Sequence, residues 1–81
     1  MKKSAVKEME LLPKKIAQSI TSAIFFLADN PRPRGCKKLS GSVNNFWRIR
    51  IGDYRVIYTI DDEIKIIDIQ KVGHRRDIYE R

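Results

Sequence analysis

Two helical patterns followed by runs of strand-like alternation predict an α+β fold, an N-terminal helical hairpin packed on one face of a small antiparallel β-sheet. Apolar residues recur at three- and four-residue steps through residues 13–29 (Ile16, Ala17, Ile20, Ile24, Leu27), the stripe of a half-buried helix. Residues 46–58 instead alternate from one residue to the next, the period of a strand with one covered face. No repeat, linker or low-complexity tract interrupts the 81 residues, so 1–81 reads as one domain with one modest core.

Taken in order, Ser4 is the expected N-cap of a short helix over residues 5–12. Pro13 suits the first turn of a second helix and bends the chain there. Phe25 and Phe26 are expected to widen that helix's apolar face as core, and Asn30-Pro31 ends it, since a residue before proline leaves the α region. Residues 30–35 form a basic connector, 36–39 a short edge strand carrying Lys37 and Lys38, and 40–45 a polar loop.

The hairpin follows. Trp47, Ile49 and Ile51 alternate with Arg48 and Arg50, then Tyr54, Val56 and Tyr58 alternate with Arg55 and Ile57. Gly52-Asp53 between them suits a two-residue II′ turn, with Gly at the position that needs φ > 0. That turn pairs Ile51 with Tyr54, Arg50 with Arg55, Ile49 with Val56 and Arg48 with Ile57. Like charges directly opposed on a sheet face repel. An anion bound between Arg50 and Arg55, with Arg48 two residues along, relieves that repulsion, and guanidinium forks match phosphate oxygens. Trp47, Ile49, Ile51, Val56 and Tyr58 then face the helices, while Arg48, Arg50 and Arg55 face away. A third long strand is expected at 63–72. A two-residue Asp61-Asp62 loop sets Asp68 opposite Arg55; a three-residue loop sets Ile69 there.

Composition narrows the partners. Seventeen Lys and Arg against ten Asp and Glu give a net charge of +7, which points to a polyanion such as nucleic acid, an acidic protein or anionic lipid. One cysteine, Cys36, excludes an intrachain disulfide and a cysteine-based zinc site, so metal-free chemistry without a cofactor is expected. No apolar run has the length of a membrane span and no signal-type segment follows Met1-Lys2-Lys3, which gives a cytoplasmic expectation. Residues 73–79 close the chain with His74, Arg75, Arg76 and Tyr79, the mixture of basic and aromatic groups that single-stranded RNA recognition uses.

Asn30-Pro31, Lys38-Leu39, the run Trp47-Arg48-Ile49-Arg50-Ile51-Gly52-Asp53-Tyr54-Arg55-Val56-Ile57-Tyr58, and Val72-Gly73-His74-Arg75 through Ile78-Tyr79 together resemble the RelE/ParE toxin superfamily. The resemblance covers nearly the whole chain. It implies a toxin of a type II toxin–antitoxin system, neutralised by a cognate acidic antitoxin that covers the arginine face or displaces the tail, in a complex that can be of higher order. RelE-like members enter the ribosomal A site and cut mRNA by attack of a 2′-hydroxyl on the adjacent phosphate; ParE-like members poison DNA gyrase. By resemblance, Arg48 and Arg50 take the place of paired basic residues that the best-known nucleases carry as lysine. Arg55 and Arg75 match the arginines that stabilise the cleaved phosphate, and Tyr79 the tyrosine that stacks on the substrate base. Lys37, Lys38 and Arg76 are further RNA-binding candidates. The set implies a metal-independent endoribonuclease that inhibits translation, with a gyrase inhibitor or a non-catalytic nucleic-acid-binding module as alternatives.

Arginine suits charge stabilisation and positioning but not proton transfer, with a pKa of roughly 12.5 or more. His74 is therefore the candidate base, its neutral form favoured by neighbouring Arg75 and Arg76. Relatives normally begin with a strand before the first helix, whereas only Met1-Lys2-Lys3 precede Ser4 here; an exposed sheet edge is the expectation. The chain also stops two residues after Tyr79, leaving no terminal helix.

Overall fold

A computed structural model describes residues 1–39 and 45–76, which form α1 (Lys3–Glu10), α2 (Lys14–Asp29), β1 (Lys37–Lys38), β2 (Phe46–Ile51), β3 (Tyr54–Asp61) and β4 (Ile66–His74). The strands make one antiparallel sheet in the order β1-β2-β3-β4, and the helices cover one of its faces. The α+β expectation holds, with the helices first and the meander after them.

Side-chain period puts the core where the alternation places it. Ile20 and Leu27 of α2, Ala5 of α1, and Ile49, Val56, Tyr58, Ile69 and Val72 of the sheet form one buried cluster. Ala5 is small enough for α1 to lie close against the sheet. Phe25 and Phe26 do not join the cluster: they are 73% and 56% exposed. At about 100° per residue they fall well outside the arc that Ile20 and Leu27 share, so helix phase excludes them from the core.

Ser4 is not a cap. Lys3 already begins the helix, Lys2 holds the N-cap position, and no side chain caps it. Instead the Lys2 N–H donates to the Ile69 carbonyl of β4 at 2.9 Å, so docking on the sheet sets where the helix starts. Glu8 of the same helix accepts the Val72 N–H at 2.9 Å. These two bonds satisfy the Ile69 carbonyl and the Val72 N–H on the outer side of β4.

The β2–β3 hairpin has the predicted register throughout, Arg50 opposite Arg55 included. Gly52 sits at φ +60 and Asp53 does not, which is the II′ arrangement. The second hairpin differs from both expected loops. Asp61 Oδ1 accepts the N–H groups of Glu63 (3.1 Å) and Ile64 (3.3 Å), and Lys65 takes φ +56. This side-chain-capped turn lengthens the loop, so Asp61 pairs with Ile66. A bulge then shifts the register: Tyr58 pairs with Ile69 but Ile57 pairs with Lys71, leaving Gln70 as the extra residue. Arg55 consequently lies opposite Gly73, not Asp68 or Ile69.

The connector between helix and sheet is tied from both sides. Tyr58, wholly buried, donates its phenol to the Pro31 carbonyl at 2.8 Å. Arg32 lies 4.9 Å from the Trp47 ring centroid and meets Asp62 with both terminal nitrogens, at 3.1 and 3.0 Å. The same pairing holds the Asp62 carboxyl below its usual range.

Burial, with Cys36 adding to it, raises the Tyr58 phenol well above its ordinary pKa. An acid whose folded pKa is raised adds stability that is fully present below its unfolded value of about 10 and is lost as pH rises through the folded value. Tyr58→Phe should therefore cost about 1 kcal/mol at neutral pH, through the lost hydrogen bond. It should also flatten the decline of stability above pH 10, as read by urea denaturation across a pH series.

Candidate functional site

Among the described residues, four cross-strand rows make up the face that the helices leave uncovered, the last of them Asp61–Ile66 by the second hairpin loop, because directly paired residues share a face. Nearest the Gly52-Asp53 turn lies the row Arg50–Arg55–Gly73. Next comes Lys37–Arg48–Ile57–Lys71, and then Phe46–Thr59–Asp68. Rows stand about 7 Å apart, two residues along each strand.

Burial grades the guanidiniums. Arg50 is exposed and Arg55 half-buried, but Arg48 is only 7% exposed. Its Nε is buried without a hydrogen-bond partner. A buried guanidinium with an unmet donor is costly, by roughly 1–3 kcal/mol for one group. Three solvated arginines on an open face is thus not the arrangement: one of them is held inside the structure. Arg48 and Arg50 also line a cavity of about 570 Å³ where β2 runs on past the short β1, with Arg34, Lys37, Phe26 and Ile51 around it.

The tail reaches the same end of the sheet. The Arg75 N–H donates to the Asp53 carbonyl at 2.8 Å, fastening the residues after β4 to the hairpin turn. Arg50, Arg55 and the Arg75 backbone are thereby brought to one end, and both Arg75 and Arg76 are exposed.

Other predicted residues are not gathered there. His74 pairs with Tyr54, and their rings meet edge-to-face with centroids 5.4 Å apart. Tyr54 packs against the core, so His74 lies on the helix side of the sheet, across it from Arg55. Its Nδ1 accepts the Arg76 N–H at 3.2 Å, which places the ring proton of the neutral form on Nε2. The candidate base is thus separated from the arginine pair by the strand period itself. Lys38 pairs with Trp47 and shares the helix side, while Lys37 pairs with Arg48 and belongs to the basic rows. Tyr79 lies outside the described residues, as does most of the polar loop at 40–44.

One cation was missed. Lys71 is exposed, and the bulge sets it on the helix-free face beside Ile57. The sequence leaves its face open, since the two-residue loop sends it to the helix side and the three-residue loop to the helix-free side. Among the described residues, no group of three or more His, Cys, Asp or Glu is placed to hold a metal ion. No described helix is long and apolar enough to cross a membrane.

If the rows are electrostatically strained, removing one charge relieves them. Arg50→Thr, a β-branched residue in the same strand position, should raise stability by a few tenths of a kcal/mol at low salt, a gain that fades at 1 M salt. The same variant should bind single-stranded RNA more weakly and with a shallower salt slope. Denaturation midpoints and filter binding across a salt series measure both, and a gain independent of salt would contradict the electrostatic reading.

Comparison with known proteins identifies the chain's relatives. A family model described as the ParE toxin of the type II toxin-antitoxin system, parDE, matches residues 1–79. Toxin RelE of Mycobacterium tuberculosis is 34% identical over 77 residues, covering 94% of this chain and 78% of that protein. Toxin RelG of the same organism is 32% identical over 78 residues, covering 96% and 90%. Among solved structures, the archaeal RelE-RelB complex from Pyrococcus horikoshii superposes with a TM-score of 0.79 at 35% identity, covering 91% of this chain and 89% of that one. With these rows of basic residues on a helix-backed meander, the chain belongs to the RelE/ParE superfamily of type II toxins, on its RelE-like branch.

Proposed function

We propose that this protein is a ribosome-dependent endoribonuclease that cuts mRNA in the A site, acting in the cytoplasm and neutralised by a cognate acidic antitoxin. The observation that carries the reading is Arg50 facing Arg55 at the end of the sheet where Arg75 is fastened to the turn. Guanidiniums set directly across a strand pair suit a phosphate turning into a pentavalent, more highly charged transition state.

Each residue then has a role in the proposed reaction. A 2′-hydroxyl attacks the adjacent phosphorus, the 5′-oxygen of the next nucleotide leaves, and a 2′,3′-cyclic phosphate forms. Arg55 and Arg75 stabilise charge on the non-bridging oxygens, and Arg50 holds the strand in line. Arg48, buried beside them, is a fixed positive charge that needs no reorganisation when the transition state forms. Tyr79 stacks on a substrate base, as the family resemblance implies. Lys37, Lys71 and Arg76 guide the backbone. His74 acts from the far side of the sheet, by seating Tyr54 and the start of the tail, and not as the base. Proton transfer is then left to solvent or to ribosomal groups.

The RelE names of the relatives favour the nuclease, while the matched family model carries the ParE name, so the decisive assay reads both activities. Translation complexes stalled on a defined codon should be cut within the A site by the wild-type chain. Arg55→Ala should lower the rate about 100-fold or more, by analogy with loss of one oxyanion donor. His74→Gln should stay within about threefold of wild type, a change small on the scale of general acid–base catalysis. Inhibition of gyrase supercoiling with intact mRNA would replace this reading with the ParE-like one.

A further inference from the structure

The cavity of about 570 Å³ beside β2 contains a group that the nuclease reading leaves unused, and its volume is that of a small-molecule site. Cys36, a free and half-buried cysteine, lines it next to Gly35. Gly35 takes φ +91, and a side chain placed there would meet nothing within 4 Å, so the space beside the cysteine is open. Cys36 is held in place by its N–H, which donates to the Pro33 carbonyl at 3.0 Å. It lies on the helix side of the sheet edge, close enough to the Tyr58 phenol to add to the rise in its pKa.

The lining says what fits. Arg34, Lys37, Arg48 and Arg50 contribute to it, and among the described residues around it none is an Asp or Glu. Arg48 is only 7% exposed with its Nε unmet, and a carboxylate oxygen is the acceptor that such a donor lacks. The strand edge is open as well. β1 pairs only with Trp47 and Arg48, so among the described residues no strand covers Ile49–Ile51 on that side, and their outward backbone groups suit a peptide. Phe26, Leu27 and Ile51 supply apolar walls. Cys36 stands one residue before the Lys37–Arg48 pair, where the cavity passes around the edge from the Ile49 side of β2 to the Arg48 side. Partly exposed thiols in cationic surroundings are the ones that exchange with disulfides.

We propose that Cys36 and this cavity form a site for an anionic peptide thiol of the glutathione class, held as a mixed disulfide. The Cys36 thiolate attacks one sulfur of glutathione disulfide. A bond forms between Cys36 Sγ and that sulfur, the original S–S bond breaks, and the second glutathione leaves as a thiolate that takes up the proton Cys36 gave up. The oxidising equivalents arrive with the disulfide, and a reducing thiol reverses the step. A tripeptide spans about 10 Å when extended, enough to run from Cys36 along the open edge of β2 and set a carboxylate against Arg48. The site stands apart from the nuclease reading. One consequence rests on that reading: an adduct lying across Arg48 and Arg50 keeps RNA from them.

The experiment equilibrates the full chain with glutathione and its disulfide, and in parallel with mercaptoethanol and its disulfide at the same ratio, with adducts measured by intact mass. The native chain should favour glutathione about tenfold over the neutral thiol, through attraction in a cationic cavity. In urea the same chain should lose the preference, and high salt should narrow it in the native state. Arg48→Gln should remove it, and Arg34→Gln with Lys37→Gln should lower it about threefold. Thermal melts show whether Arg48→Gln is folded; if it is not, the double variant decides. Fully modified wild type should lose most of its mRNA cutting on stalled ribosomes until dithiothreitol removes the adduct. Cys36→Ser should form no adduct and cut at the wild-type rate with or without glutathione disulfide.

Equal adduct formation with the two thiols by the native chain overturns the site, as does a folded charge variant that keeps the full preference. Full cutting by a completely modified chain overturns the placement of the adduct across the arginines. Absence of cutting by the unmodified chain overturns the nuclease reading alone, and the exchange equilibrium still decides the site.

Discussion

The register of the β2–β3 hairpin is the constraint from which the rest of the molecule follows. With a side-chain period of two, a slip of one residue would turn Arg48, Arg50 and Arg55 toward the helices and Ile49, Val56 and Tyr58 toward solvent. Gly52 at φ +60 makes the short turn that sets the correct pairing, and burial on the helix side enforces it. The magnitudes decide the contest. A like-charge cross-strand pair costs at most about 1 kcal/mol. Each fully buried Val, Leu or Ile returns about 1.5–3 kcal/mol relative to exposure, and several such side chains sit in the core. The apolar face dictates the register, and the arginine face receives whatever geometry that register imposes.

The same reasoning says which parts of the fold were legible in the sequence. A two-residue glycine turn leaves one register, so the positions of Arg48, Arg50 and Arg55 on the sheet could be read off directly. The β3–β4 hairpin could not be read in this way. Its loop length depends on Asp61 capping two N–H groups, and its register changes again at a bulge that no residue type announces. Both of the loops that alternation allowed for that turn therefore missed Gly73 as the neighbour of Arg55. The start of α1 was hidden for a related reason. Local capping preference favoured Ser4, but a backbone bond from Lys2 to β4, remote in sequence, overrode it. Phe25 and Phe26 are as apolar as core residues, and helix phase alone keeps them out of the core.

Among the site residues, identity was legible and environment was not. Arg48 and Arg50 are indistinguishable as letters on alternate positions of a strand, yet one is buried with an unmet donor and the other faces solvent. His74 was singled out for its titration range and its arginine neighbours. Its pairing with Tyr54 places it behind the sheet, a fact carried by the unreadable second hairpin. The face of Lys71 hangs on the same second hairpin, and it is the bulge that settles it on the helix-free side.

Among the described residues, the charge-bearing departures from local rules in this small sheet fall on its helix-free side. Two arginines face each other there and the buried Arg48 leaves its Nε unmet, whereas the helix-facing side shows apolar residues packed where their period puts them. A conflict between local chemistry and fold held on one surface fits a preorganised binding site. The helices and the apolar half of the meander supply the stability against which that tension is held. The division between the two faces of a single sheet is thus also the division between what folds this protein and what it does.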